Sequence, residues 1–116
     1  ATLEAAARVC FEQFGIGCMA VTDGPRPARL ITPEAAWQLF LPRLESVVNP
    51  LGAGDTATGV TLVKLAAGAP PPEAFAWGLA AASASCRHVQ GAEFAVSEMA
   101  DLRRQVVLEK VEPDPD

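Results

Sequence analysis

From Asn49 to Gly59 the sequence reads Asn-Pro-Leu-Gly-Ala-Gly-Asp-Thr-Ala-Thr-Gly, and this stretch constrains the chain more than any other. Pro50 cannot continue a helix, whereas Gly52 and Gly54 permit positive φ and leave their backbone N–H groups uncovered, so the chain must turn tightly here. Such a turn points several amide donors at one place and forms a nest for an anion. If a helix starts near Gly54, the unpaired amides of its first turn and the positive end of its dipole act on the same spot, favouring a phosphate or a developing oxyanion. Asp55 stands inside this nest. A carboxylate there repels an anionic ligand unless it has another task, and accepting a proton from an attacking hydroxyl is such a task. Local spacing leaves a second reading open, in which Asp55 only caps the helix.

Two better-known glycine loops do not fit. A Walker A loop ends in Gly-Lys-Ser/Thr, and Asp55 stands where the lysine would be. In a dinucleotide fingerprint the third glycine would fall at Ala57.

The 116 residues suffice for one domain, and with 50% of them hydrophobic the chain should be globular. Aromatic content is only 6% and alanine is abundant, which favours helices packed closely on a sheet, an α/β fold, over a sandwich of bulky strands. A net charge of −5 leaves no basic stripe for nucleic acid or an anionic membrane, so neither is expected as a partner. Cys10, Cys18 and Cys86 lie in apolar neighbourhoods without a Cys-x-x-Cys pair and read as buried free thiols. No His, Cys, Asp and Glu cluster has metal-site spacing, so no protein-held metal is expected. No basic-then-apolar leader and no membrane-length apolar run is present, and the expected compartment is the cytoplasm.

Leu3, Ala6, Ala7, Cys10 and Phe14 recur at helical spacing, with Thr2 as N-cap and Gly15 as stop. Cys18 to Thr22 reads as a buried strand ended by Asp23-Gly24-Pro25, and a helix feeding such a strand suggests a parallel layer. Ala28 to Thr32 and Ala36 to Phe40 can pair as a hairpin about Pro33-Glu34. Leu44 to Val48 reads as a further strand leading into the glycine loop. Thr56 to Ala67 reads as the following helix, with Val60, Val63 and Leu65 in the core, Lys64 outward and Gly68 as its end. Pro72 suits the first turn of a next helix whose apolar face is Phe75, Leu79, Ala82, Cys86 and Val89, ended by Gly91. His88 reads as a surface or helix-end group. Ser97 is the expected cap of a last helix carrying Met99, Leu102 and Val106. Val107 to Val111 reads as an edge strand, and Glu112 to Asp116 as an acidic tail.

The Gly52-Ala53-Gly54-Asp55 loop resembles the signature of the ribokinase-like carbohydrate kinases, the PfkB family. Val21-Thr22-Asp23-Gly24 is similar to that family's Thr-x-Gly nucleotide loop, and Pro72-Glu73-Ala74 with the Ala-rich helix and Gly91 follows its closing segment in order and spacing. The resemblance implies a ribokinase-like layered α/β fold and transfer of the ATP γ-phosphoryl group to a hydroxyl of a sugar or sugar phosphate. It implies Asp55 as general base and the amides of Gly52, Ala53 and Gly54 with that of Asp55 as the anion hole. Thr22 and Gly24 would approach the nucleotide, with an ordinary strand-ending turn the alternative, while Leu79 and Ala82 would form part of the adenine wall, with plain core packing the alternative. Magnesium would arrive on the ATP phosphates. Asn49 starts the motif where many of the family's sugar kinases carry Asp. With Pro50 it is more similar to the 1-phosphofructokinase and tagatose-6-phosphate kinase branch, and potassium activation is not expected to carry over.

Relatives are more than twice as long, and the Gly-Gly motif, the Asn-x-x-Glu motif and the lid of their sugar-binding half are not in this sequence. The expectation is therefore one domain over residues 1–116, the C-terminal ATP-binding part of such a kinase, with exposed apolar edges and self-association as a homo-oligomer. Two alternatives stay open: a non-catalytic nucleotide-binding or structural module that keeps the loop, and a nucleoside kinase of the same family.

Overall fold

The computed structural model describes residues 2–90 and 93–112. Helix α1 (Leu3–Phe14) leads into strands β1 (Met19–Asp23), β2 (Arg26–Ile31) and β3 (Ala36–Phe40), followed by α2 (Ala53–Ala66), α3 (Pro71–Cys86), α4 (Val96–Gln105) and β4 (Val107–Val111). The four strands form one sheet in the order β1-β2-β3-β4, and every pairing is antiparallel. The parallel layer suggested by the order of α1 and β1 is thus not what forms. Both connections from β1 to β3 are too short for a crossover, so each returns as a hairpin. At the second, the Thr32 hydroxyl accepts the Ala35 N–H at 3.1 Å and closes the turn at Pro33-Glu34.

Alternation along β2 divides the molecule into layers. Ala28 and Leu30 face α3 and α4, in a core with Leu39, Phe75, Leu79 and Leu102. Ile31, on the opposite face, packs with Ala36 and with Ala7 of α1. The result is helices, an antiparallel sheet and a helix, a layered α/β arrangement. Thr2 caps α1 by accepting the Ala5 N–H at 3.0 Å, and Gly15 ends it at φ 65°. Glu4 of α1 is ion-paired with Arg29 of β2, which ties the helix to its face of the sheet. Phe14 and Ala6 are exposed, and Phe11 takes the core position instead.

Leu44 to Val48 is not a strand. Neighbour β3 already has β2 and β4 on its two edges, and the Val48 and Asn49 amides donate instead to the Cys86 carbonyl at 2.8 and 3.1 Å. Helix α2 starts at Ala53, three residues before the expected Thr56, and α3 ends at Cys86 with Val89 exposed beyond it. The expected stop at Gly91 and most of the acidic tail lie outside the described residues. Helix α4 starts at Val96 with Ala95 as its N-cap and no side-chain cap, so Ser97 does not cap it. No helix among the described residues is long and apolar enough to cross a membrane.

On the face that α2 turns to α3, Ala57, Thr61 and Lys64 form one helical stripe at spacings of four and three, and Val60 packs on the main core as expected. Val63 lies away from it and is exposed, and Lys64 is not outward-facing but lies over the Trp77 ring at 4.2 Å. The two helices approach so closely at Gly78 that a Cβ there would lie 2.0 Å from Thr61 Oγ1 and 2.5 Å from the Ala57 carbonyl oxygen. Glu73 of α3 and Arg103 of α4 form a two-point pair at 2.7 and 2.6 Å that fastens the third helix. Its hydrogen bond to Arg103 holds the Glu73 carboxyl below the ordinary 4.5, against the upward push of burial.

Gly78→Ala should destabilise the fold by about 1–3 kcal/mol, read from the urea midpoint, and adding Thr61→Ala should restore only part of the loss because the Ala57 carbonyl still clashes. Because the folded pKa of Glu73 is lowered, its contribution is present above the unfolded value and is lost as pH falls through the folded one. Glu73→Gln should therefore cost no more than about 1 kcal/mol at neutral pH, since the pair is part-exposed, and the difference from wild type should close in acid.

Candidate nucleotide site

The glycine loop forms the start of α2. Gly52 is the N-cap residue at φ 81°, a conformation that L side chains resist, and its carbonyl accepts the Thr56 N–H at 2.9 Å. Ala53, Gly54 and Asp55 are then the first three helical residues. The Ala53 N–H is already engaged by the Pro50 carbonyl at 3.2 Å, which corrects the expectation that it is free for an anion. Among the described residues the Gly54 and Asp55 amides have no backbone acceptor, as expected in the first turn of a helix. The capping alternative for Asp55 falls as well, because the cap is Gly52 and no side chain makes a cap hydrogen bond. The Asp55 side chain is instead exposed at the positive end of α2.

Asn49 secures this loop. Its Oδ1 accepts the Leu51 N–H at 3.0 Å, an Asx turn, while its Nδ2 donates to the Val89 carbonyl at 2.9 Å. With the two amides on the Cys86 carbonyl, the loop is thereby fixed to the C-terminal end of α3.

A cleft of about 790 Å³ opens beside the loop. Thr22 of β1, Gly24 of the β1–β2 turn, Ala53 and Gly54 of α2, and Leu79 and Ala82 of α3 all line it. Six of the residues singled out in the sequence thus meet in one cavity. Gly52, Asn49 and Asp55 are not in the lining: the first two shape the loop, and Asp55 is exposed. Leu79 is only 2% exposed, so it serves the core and the cleft together.

Ser83 and Arg43, which sequence reasoning passed over, and Cys86, which it read only as a core-face thiol, also line the cleft. Ser83 and Cys86 had a signal, since they continue the Leu79 and Ala82 stripe at helical spacing. Burial pushes the Cys86 thiol up, which disfavours its thiolate form. His88 lies outside the lining and is 2.8 Å from Glu98, which also contacts Arg87 at 3.4 Å. Among the described residues no three His, Cys, Asp or Glu side chains are grouped to hold a metal.

Residues 1–98 match the family described as pfkB family carbohydrate kinase. The chain belongs to this family. A search of curated proteins finds no match. Among solved structures, the pfkB chain is similar to a Staphylococcus aureus protein assigned as a phosphofructokinase, with TM-score 0.83 and 20% identity over 97% of this chain and 35% of that one. It is similar to Thermotoga maritima ribokinase, with TM-score 0.76 and 25% identity over 90% of this chain and 35% of that one. Escherichia coli phosphofructokinase-2 in complex with potassium gives TM-score 0.76 and 24% identity over 86% and 32%. The chain thus spans about a third of the length of these relatives. Its antiparallel sheet and helices are part of the ribokinase-like α/β fold.

Two glycines of the motif should respond with opposite sign. Gly52→Ala should destabilise by about 1–2 kcal/mol because its φ is positive. Gly59 is a helical residue with open space where a Cβ would go, so Gly59→Ala should stabilise by about 0.5–1 kcal/mol. Thermal melts of the two variants test both signs.

Proposed function

We propose that this chain is the ATP-holding portion of a carbohydrate kinase that transfers the γ-phosphoryl group of ATP to a hydroxyl of a sugar or sugar phosphate, with Asp55 as general base. The observation that supports this most is the meeting of Thr22, Gly24 and Gly54 in one cleft at the unpaired amides of α2. Family membership supports the reaction class.

The residues present suit ATP. A cavity of about 790 Å³ falls in the range of small-molecule sites, with an apolar wall at Leu79 and Ala82 for a base and donors at the other end for phosphates. Magnesium carried on the ATP phosphates would offset their negative charge. The Thr22 hydroxyl and the Gly24 backbone would position the nucleotide. The Gly54 and Asp55 amides, at the positive end of α2, would stabilise charge on the transferring group, where one such donor typically contributes about 2.7–4 kcal/mol. The Asp55 carboxylate, exposed and outside the cleft lining, would meet the acceptor on the far side of the loop and take its hydroxyl proton. Asn49 would hold the loop in register through its bonds to Leu51 and Val89. The acceptor, a sugar-binding partner portion, a homo-oligomeric state and a cytoplasmic setting belong to the same reading. Exposed Leu51, Val89 and Val96 are consistent with surfaces that another subunit or chain portion covers.

Calorimetric titration with Mg-ATP tests the site. A Cβ at Gly54 meets nothing within 4 Å, so Gly54→Val should leave the fold intact while its side chain crowds the loop and abolishes saturable binding. Wild-type chain that is folded and fails to bind would argue for a structural module. In a preparation that turns over, Asp55→Asn should lower kcat by about 10²–10⁴ with Mg-ATP affinity retained, and unchanged turnover would remove Asp55 as base. A panel of hexoses, hexose phosphates and nucleosides separates the sugar reading from a nucleoside kinase.

A further inference from the structure

The nine basic side chains of this acidic protein are almost all engaged. Five of the seven arginines form ion pairs with carboxylates, Arg8 is engaged as well, and Lys64 and Lys110 lie over Trp77 and Trp37. Arg43 is the exception: among the described residues it has no partner, although the sequence carries fourteen carboxylates. It lines the same cleft as Thr22, Gly24 and Gly54.

Its position is fixed by its neighbours. Pro42 is buried, and Leu41 and Leu44 pack against the main core on either side, so the backbone of Arg43 is anchored while its side chain is exposed. Asp23, the one carboxylate in the lining, is taken by Arg26 at 3.5 Å. An incoming anion would therefore break no existing ion pair to reach the Arg43 guanidinium. The planar, always charged guanidinium offers two parallel donors to phosphate oxygens, and the unpaired Gly54 amide in the same cleft favours the same sign of charge.

We propose that Arg43 is a specificity-determining residue of the cleft that binds a phosphoryl group of the substrate. The proposal rests on reading the cleft as a nucleotide site. The phosphoryl group has two sources, the ATP polyphosphate or the phosphate of a phosphorylated acceptor, and the chemistry of recognition is the same for both.

The test is calorimetric titration of wild type, Arg43→Gln and Arg43→Lys with Mg-ATP, adenosine, inorganic tripolyphosphate and fructose 6-phosphate. Arg43 has no partner to lose, so the variants should fold, and circular dichroism checks this. Arg43→Gln should weaken Mg-ATP and tripolyphosphate by about tenfold or more, leave adenosine within about twofold and flatten the salt dependence, with partial recovery in Arg43→Lys. A loss confined to fructose 6-phosphate upholds the phosphoryl contact and assigns it to the acceptor. Tripolyphosphate binding that depends on Arg43, without adenosine binding, upholds the contact and removes the nucleotide reading. Equal losses for adenosine and Mg-ATP would mean stacking on the base and overturn the proposal. Unchanged affinity for every phosphorylated ligand, with Mg-ATP still bound, overturns the proposal and leaves the kinase reading in place. A folded wild type that binds none of the four overturns both.

Discussion

The contact of α2 with α3 at Gly78 is the constraint from which the site follows. Helices usually pack 8–10 Å apart with side chains between them, and a missing side chain at the crossing lets the backbones come nearer. Here the Thr61 side chain and the Ala57 carbonyl occupy the space a Cβ would need. This fixes where α2 begins, and therefore where its free amides point. The same helix α3 supplies the wall of the cleft, and its C-terminal carbonyl at Cys86 receives the two amides that bring the 41–49 segment down on the glycine loop. One helix thus carries the position of the unpaired amides, the cleft wall and the loop between them.

Much of this was legible in the sequence where a local rule decided the outcome. Thr2 and Gly15 bracket α1 because capping is settled within a few residues, and Pro33-Glu34 marks the hairpin because its flanks alternate. The Gly-Ala-Gly-Asp loop was readable for the same reason. Misreadings arose where partners distant in sequence decided. The Leu44 to Val48 run has strand composition, yet β4, far along the chain at Val107–Val111, takes the edge of β3. Val63 has the hydrophobicity of a core residue, but the small side chains of Ala57 and Gly78 select a different stripe of α2 for burial. Hydrophobicity placed Val60 correctly against the core but assigned Val63 to the same face.

The candidate site divides in a similar way. Chemistry-bearing residues of the loop were identified by type, and the structure brought six of the nine named positions into one cleft. Ser83 and Cys86 were recoverable from helical spacing. Arg43 was not, because a single arginine between Pro42 and Leu44 carries no signal until its lack of an ion-pair partner is visible. The Ala53 amide illustrates the opposite limit: residue type cannot reveal that a turn bond to Pro50 has already used a donor.

Strand β4 returns to the sheet only after all three helices of that layer have been traversed, and it covers the outer edge of β3. That edge carries Trp37 and Leu39, side chains of the main core. This edge of the sheet is therefore covered by the last of the described elements, and that cover depends on α4 being docked in the right place beside α3. Damage anywhere in the helical layer is then transmitted to an unpaired, hydrophobic strand edge, the template on which strands of other molecules assemble. A defect in the helical layer would surface first as aggregation.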